Sequence, residues 1–197
     1  MPTIVTDLPA LSDPPRKRWT RAEYDDLPTE FLNGQRLELV EGELINKMGK
    51  KPPHRNSGAL LLKWLFNIFG ADFVLQEASI DVAPEDNPAS EPEPDLIVLK
   101  KDLSYYKSRN PQPGDLRLVI EVADTTLSFD LRTKAALYAR AGIVEYWVLD
   151  VGGHRMLVHR DPQGGRYTSV VAYGFEESVA PLAAPNSPFH IRAAFLD

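Results

Sequence analysis

Cysteine is absent from the 197 residues, which excludes disulfide frameworks, thiolate zinc sites, iron–sulfur clusters and cysteine nucleophiles. Any bound metal must therefore be held by oxygen or imidazole. Long apolar runs are missing too: the longest, Ala59 to Phe69, covers only about two-thirds of a short membrane span and contains Lys63. The opening MPTIVTDLPALSDPP lacks the basic-then-apolar pattern of a secretory signal. These absences predict a soluble, cytoplasmic protein that does not engage a membrane. Positive charge is scarce, with 22 lysines and arginines against 28 acids and a formal charge of −6, which weighs against general affinity for phosphate backbones. Glycine is outnumbered by proline, 12 to 17, so part of the chain is expected in loop or tail. The sequence also lacks G-x-G-x-x-G, G-x-x-x-x-G-K-[ST], G-x-S-x-G and H-E-x-x-H, leaving dinucleotide-fold, P-loop, serine-hydrolase and zincin readings without local support.

What is present is enough for one core, since 43% of residues are hydrophobic. Residues 1–18 are proline-rich without apolar periodicity and read as a flexible arm; 19–197 read as a single domain. Thr20 and Glu23 have capping-box spacing and open a short helix that ends before Pro28. Alternation from Arg36 to Ile45 about Glu41-Gly42 predicts a β-hairpin. Apolar residues at helical spacing predict a helix from His54 to Phe69, stopped by Gly70. Extended segments follow at Phe73–Val82, Asp95–Leu99 and Leu116–Val122, with a charged, proline-containing loop over Lys100–Gly114 between the last two. A second helix from about Phe129 to Ala141, capped by Ser128 or Thr126, leads into a strand at Val144–Asp150. With Leu116–Val122 that strand makes a right-handed, parallel β-α-β unit. A meander, Met156–Arg160 and Arg166–Tyr173, ends the fold. His154 and His159 read as ordinary surface residues.

Chemistry is suggested by acids set into apolar strands. Asp95 immediately precedes Leu96-Ile97-Val98-Leu99, and Glu121 interrupts Leu118-Val119-Ile120-Glu121-Val122-Ala123. A buried carboxylate is costly unless it is paired or binds a cation. Two on neighbouring strands can each give an oxygen to a hard ion such as Mg²⁺, which takes one or two carboxylates plus waters and phosphate oxygens. Asp130 and Lys134 stand four apart on the following helix, a spacing that alone predicts a simple stabilising pair.

Taken in order, Glu38-Leu39-Val40-Glu41-Gly42-Glu43, His54, Pro94-Asp95, Glu121-Val122, Asp130 to Lys134, Leu137-Tyr138-Ala139-Arg140-Ala141-Gly142 and Glu145-Tyr146-Trp147 resemble the PD-(D/E)XK restriction-endonuclease-like superfamily. Within it they resemble the Uma-type restriction endonuclease family. The match spans about residues 20–150. The resemblance implies an α/β fold, a restriction-endonuclease-like central mixed sheet flanked by helices, with an N-terminal hairpin and a C-terminal meander. It also implies a Mg²⁺-dependent endonuclease acting on DNA, with Mn²⁺ able to substitute, and is compatible with a homodimer. Asp95, Glu121 and the Val122 carbonyl would bind the metal, and a lysine would orient the attacking water. That lysine usually lies two residues after the glutamate, where this chain has Ala123; the resemblance implies that Lys134 supplies it from the helix. Glu38 is a further acidic contributor or an exposed hairpin residue, and Gln76 and Glu77 are weaker candidates. The stretch from Leu44 to Ala71 has no acid but carries Lys47, Lys50, Lys51, Arg55 and Lys63, a run that, with the helix start, suits phosphate. The missing lysine at 123 and the net negative charge favour, as the main alternative, an inactive nuclease-fold protein with a binding or assembly role; a metal-dependent hydrolase of small phosphoesters is a more distant one.

Overall fold

The computed structural model describes residues 15–28, 35–47 and 51–196. Most of the expected N-terminal arm, and Lys50 of the basic run, lie outside these. Thr20 caps helix α1 (Arg21–Asp25) through the reciprocal Thr20–Glu23 box, as the spacing predicts. Strands β1 (Leu37–Val40) and β2 (Glu43–Asn46) form the hairpin. Its two turn residues, Glu41 and Gly42, both have positive φ, 49° and 78°, the backbone of a tight two-residue hairpin. Helix α2 (Pro52–Phe69) stops at Gly70, whose φ of 86° suits a residue without a side chain.

A six-stranded sheet forms the centre, in the order β3 (Val74–Gln76), β4 (Leu96–Leu99), β5 (Leu116–Ala123), β6 (Glu145–Asp150), β7 (Arg155–Gln163), β8 (Arg166–Tyr173). Only β5 and β6 run parallel; the remaining pairs are antiparallel. The predicted β-α-β unit is the one that contains the parallel step. Side chains alternate across the strands and split the core in two. One face carries Ile97, Leu99, Val119, Ala123, Tyr146 and Val148. The other carries Leu96, Val98, Leu118, Ile120, Val122 and Trp147, against Leu61 and Leu65 of α2. A two-stranded sheet, β9 (Ser178–Val179) with β10 (Phe189–His190), closes the chain. Among the described residues no helix is long and apolar enough to cross a membrane.

Three expectations are corrected. The extended segment at Phe73–Val82 contributes a strand only as far as Gln76: Glu77 turns with a φ of 53°, and the backbone beyond it bonds to loops, Ile80 N to Pro92 O at 3.1 Å and Asp81 N to Pro111 O at 2.9 Å. The second helix runs unbroken from Leu127 to Arg140 as expected, but not as a regular α-helix: between α3 (Leu127–Phe129) and α4 (Ala135–Arg140) it carries a π turn at Asp130–Lys134. His159 is buried, its ring 5.2 Å from that of Tyr146 and 5.6 Å from that of Tyr167, and burial lowers its pKa. His154 is exposed in the turn before β7.

The C-terminal segment is fastened through Glu145, which has no exposed surface. Its carboxylate accepts from Trp147 Nε1 at 3.0 Å, Arg160 Nε at 2.9 Å and Nη2 at 2.6 Å, and Leu182 N at 2.8 Å. Arg160 also donates to Ala180 O at 2.7 Å. Glu145→Ala leaves these donors without their acceptor. It is expected to cost roughly 2–4 kcal/mol in a urea titration, somewhat below a fully buried pair because Arg160 keeps some contact with water.

Candidate active site

The sheet register delivers the two strand acids to one place. Leu96 pairs with Ile120 across β4 and β5, so one step further Asp95 lies opposite Glu121, on the same face as Ile97 and Val119. Their main chains lock this arrangement: Val122 N donates to Asp95 Oδ2 at 2.8 Å, and Asp95 N to Glu121 Oε2 at 3.4 Å. Both residues are buried.

The helix after β5 supplies the cation. In the π turn, Ala135 N reaches Asp130 O, five residues back, one more than in an α-helix. Lys134 Nζ lies 2.8 Å from Glu121 Oε1 and 2.9 Å from Glu38 Oε1. The Asp130–Lys134 ion pair suggested by the spacing is not formed; Asp130 instead accepts from Thr126 Oγ1 at 2.6 Å. Burial is the largest influence on Lys134 and acts against its charge. Glu121, Glu38 and Asp130 together outweigh it, so the ammonium is held charged, above its ordinary pKa.

Glu38 is buried, not exposed on the hairpin. The hairpin docks on the segment before β4, where Glu91 N donates to Leu39 O at 2.7 Å and Glu93 N to Glu38 Oε2 at 3.0 Å. Sequence reasoning missed Tyr138, whose hydroxyl donates to Glu121 Oε1 at 3.2 Å. The signal was its position four residues after Lys134, on the same helix face. Burial, then Glu121, raises the Tyr138 pKa well above normal, keeping it a phenol. Burial also pushes Glu121 up to about 8 against the pull of Lys134, and Asp130 up to about 6.

Glu38, Asp95, Glu121, Asp130 and Lys134 line a cavity of about 90 Å³, together with His54, Lys47, Lys51 and Asp124, while Tyr138 stands behind Glu121 outside its lining. A family model described as "Uma2: Putative restriction endonuclease" matches residues 21–189. The chain belongs to the Uma2 family. Among solved structures, that of "a putative nuclease belonging to DUF820" from Anabaena variabilis ATCC 29413 is similar, with a TM-score of 0.66 and 16% identity over 89% of this chain and 97% of that one. At that identity the likeness shows a shared nuclease-like α/β fold. No curated protein matches.

For this Uma2 chain the donor set fits a hard divalent ion. Asp95, Glu121 and the Val122 carbonyl offer only oxygen, and two carboxylates are the usual protein share for Mg²⁺. No group of three or more acids or histidines suited to a metal occurs among the described residues, so the remaining ligands would be carbonyl, water and substrate oxygens. His54 Nε2 stands 3.4 Å from Asp95 Oδ2, and His54 Nδ1 is buried without a partner.

The rest of the basic run is divided. Lys47 donates to Glu93 O at 2.6 Å and Lys51 lies 3.8 Å from Asp124 Oδ2; Arg55 and Lys63 are exposed on α2. The α2 start is a poorer phosphate cradle than expected, because Pro52 and Pro53 remove two of the N–H groups a helix N-terminus offers. Of the weaker candidates, Glu77 pairs with Arg36 outside the 90 Å³ cavity. Gln76 lines a cavity of about 20 Å³ with His54 and Asp95.

Proposed function

We propose that the protein is a Mg²⁺-dependent endodeoxyribonuclease, acting in the cytoplasm, with Mn²⁺ able to substitute. Asp95, Glu121 and the Val122 carbonyl would hold the ion. When bound, the metal lowers the pKa of water and stabilises charge on the scissile phosphate. Lys134 would position the attacking water, standing in from the helix for the lysine that Ala123 lacks. Glu38 and Tyr138 fix the geometry of Lys134 and Glu121, and Lys51 at the rim provides positive charge toward the DNA backbone.

The observation that carries this reading is the approach of Lys134 Nζ to Glu121 from a different element than the strand. A structural ion pair needs one acid and one base. Here a buried lysine, two buried glutamates and Asp95 share one cavity, at a cost in desolvation that a binding site explains.

Metal binding can be tested apart from catalysis. Mn²⁺ titrated into the protein and followed by its paramagnetic resonance signal is expected to bind one site and to lose it in Asp95→Asn. Because Glu121 carries a raised pKa, binding must displace its proton, so affinity should rise from pH 6 to about 8. Undiminished binding in Asp95→Asn would place the metal elsewhere.

A further inference from the structure

We infer that the groove between the helix carrying Lys134 and strands β7 and β8 is a binding site for a small anion with an apolar body, a carboxylate or phosphate head on a hydrocarbon chain. The groove holds about 310 Å³, room for about ten non-hydrogen atoms or more at the roughly 30 Å³ that a water takes in the liquid. Leu131, Ala135 and Ala136 form its helical wall, and Leu157, Tyr167 and Val170 its sheet wall. Tyr167 lends the groove its ring rather than its hydroxyl, which donates to Ile143 O at 2.8 Å. The interior therefore suits hydrocarbon.

Charge names the head group. The chain has 28 acids, yet none lines this groove, whereas Arg132 and Arg166 both do. Elsewhere Arg21, Arg36, Arg140 and Arg160 are spent on carboxylates. Arg132 and Arg166 are exposed, and neither forms an ion pair or hydrogen bond among the described residues. A guanidinium left unpaired beside an apolar groove offers its planar fork to a carboxylate or phosphate. The groove has a second unspent polar group in His159, which lines it and is only 4% exposed. Its Nδ1 is buried with no hydrogen-bond partner among the described residues, and an orphaned buried polar atom points to a polar partner. The helical wall is shared with the proposed metal centre, because Lys134 leaves the same segment toward Glu121 and Glu38. A ligand in the groove would thus rest against the helix that places the ammonium. Only this last consequence rests on the nuclease reading.

Isothermal titration of octanoate into the full chain tests the site, with octyl phosphate, octan-1-ol and inorganic phosphate as parallel probes. At least one of the two amphiphilic anions is expected to bind a single site with a Kd below about 1 mM, and the tighter of them identifies the head group. Octan-1-ol lacks the charge and inorganic phosphate lacks the apolar body, so each should bind at least about tenfold more weakly. Arg132→Gln and Arg166→Gln should each weaken the amphiphile by roughly three- to tenfold, and the pair together by more. Ala136→Phe fills the groove and should weaken it by about tenfold or more. The two arginines are exposed, so their variants report on binding even if the phenylalanine disturbs the helix. No binding of either amphiphile by about 10 mM would overturn the inference. So would equal affinity for octan-1-ol or inorganic phosphate, or affinity unchanged in the double glutamine variant. None of these readouts depends on cleavage, so a failure here leaves the nuclease reading to its own test.

Discussion

Lys134→Met is expected both to weaken the fold and to abolish DNA cleavage. Methionine has nearly the volume of the lysine stem, so packing is kept while the ammonium is lost. Glu121 and Glu38 then remain buried with no cation between them. Breaking a buried ion cluster in this way costs roughly 3–5 kcal/mol. The sign of its pH dependence follows from Glu121. Its folded pKa, about 8, lies above the ordinary 4.5, so the folded state binds more protons between those values and stability falls as pH rises through that window. Without Lys134, whose charge lowers that pKa, the window widens upward. The variant should therefore be least stable at neutral to alkaline pH and recover toward pH 5, as urea midpoints at several pH values would show. In folded variant protein, cleavage should fall by roughly 10²–10³-fold. A stable, fully active Lys134→Met protein would remove the lysine from both roles.

Glu121→Gln separates a structural acid from a metal-binding one. The amide keeps the shape of the side chain and an oxygen for the Tyr138 hydroxyl, but gives up the charge. Lys134 retains Glu38 as its partner, so the loss of stability should be smaller than for Lys134→Met. Cleavage per folded molecule should nevertheless fall by about 10²–10³-fold or more, because a neutral oxygen is a weak ligand for a hard ion. Unfolding curves and initial rates measured on the same preparation distinguish the outcomes. Lost stability with unchanged cleavage would leave Glu121 a purely structural partner of Lys134.

Much of this site was legible because it is written in local patterns. The Glu41-Gly42 turn, the apolar spacing of α2 and the short apolar strands around Asp95 and Glu121 are short-range signals, and the structure follows them. Long-range docking was harder to read. Whether Glu38 faces water or the cavity is decided by the hairpin's bond to Glu91 and Glu93, more than 50 residues away. The π turn was also hidden: Asp130-Leu131-Arg132-Thr133-Lys134 scans as ordinary helix, and the extra residue in its turn depends on tertiary contacts, such as Tyr146 Oη donating to Asp130 O at 3.1 Å. His159 was misread because it stands between apolar Val158 and charged Arg160, which leaves its own exposure open, whereas its ring packs with those of Tyr146 and Tyr167 from other strands. Glu145 could be placed in a strand, but its role as anchor required knowing that residues 180–182 return to it.

The most direct test of the proposed centre is the initial rate of supercoiled plasmid cleavage by the wild-type protein and Asp95→Asn, each with Mg²⁺ and with excess chelator. The asparagine keeps an oxygen to accept the Val122 N–H that now bonds Asp95, so the fold should persist. Nicking or linearisation is expected from the wild-type protein with Mg²⁺ only, and none from the variant under either condition. Wild-type protein that leaves DNA intact with both Mg²⁺ and Mn²⁺, or an Asp95→Asn protein that cuts at the wild-type rate, would contradict it.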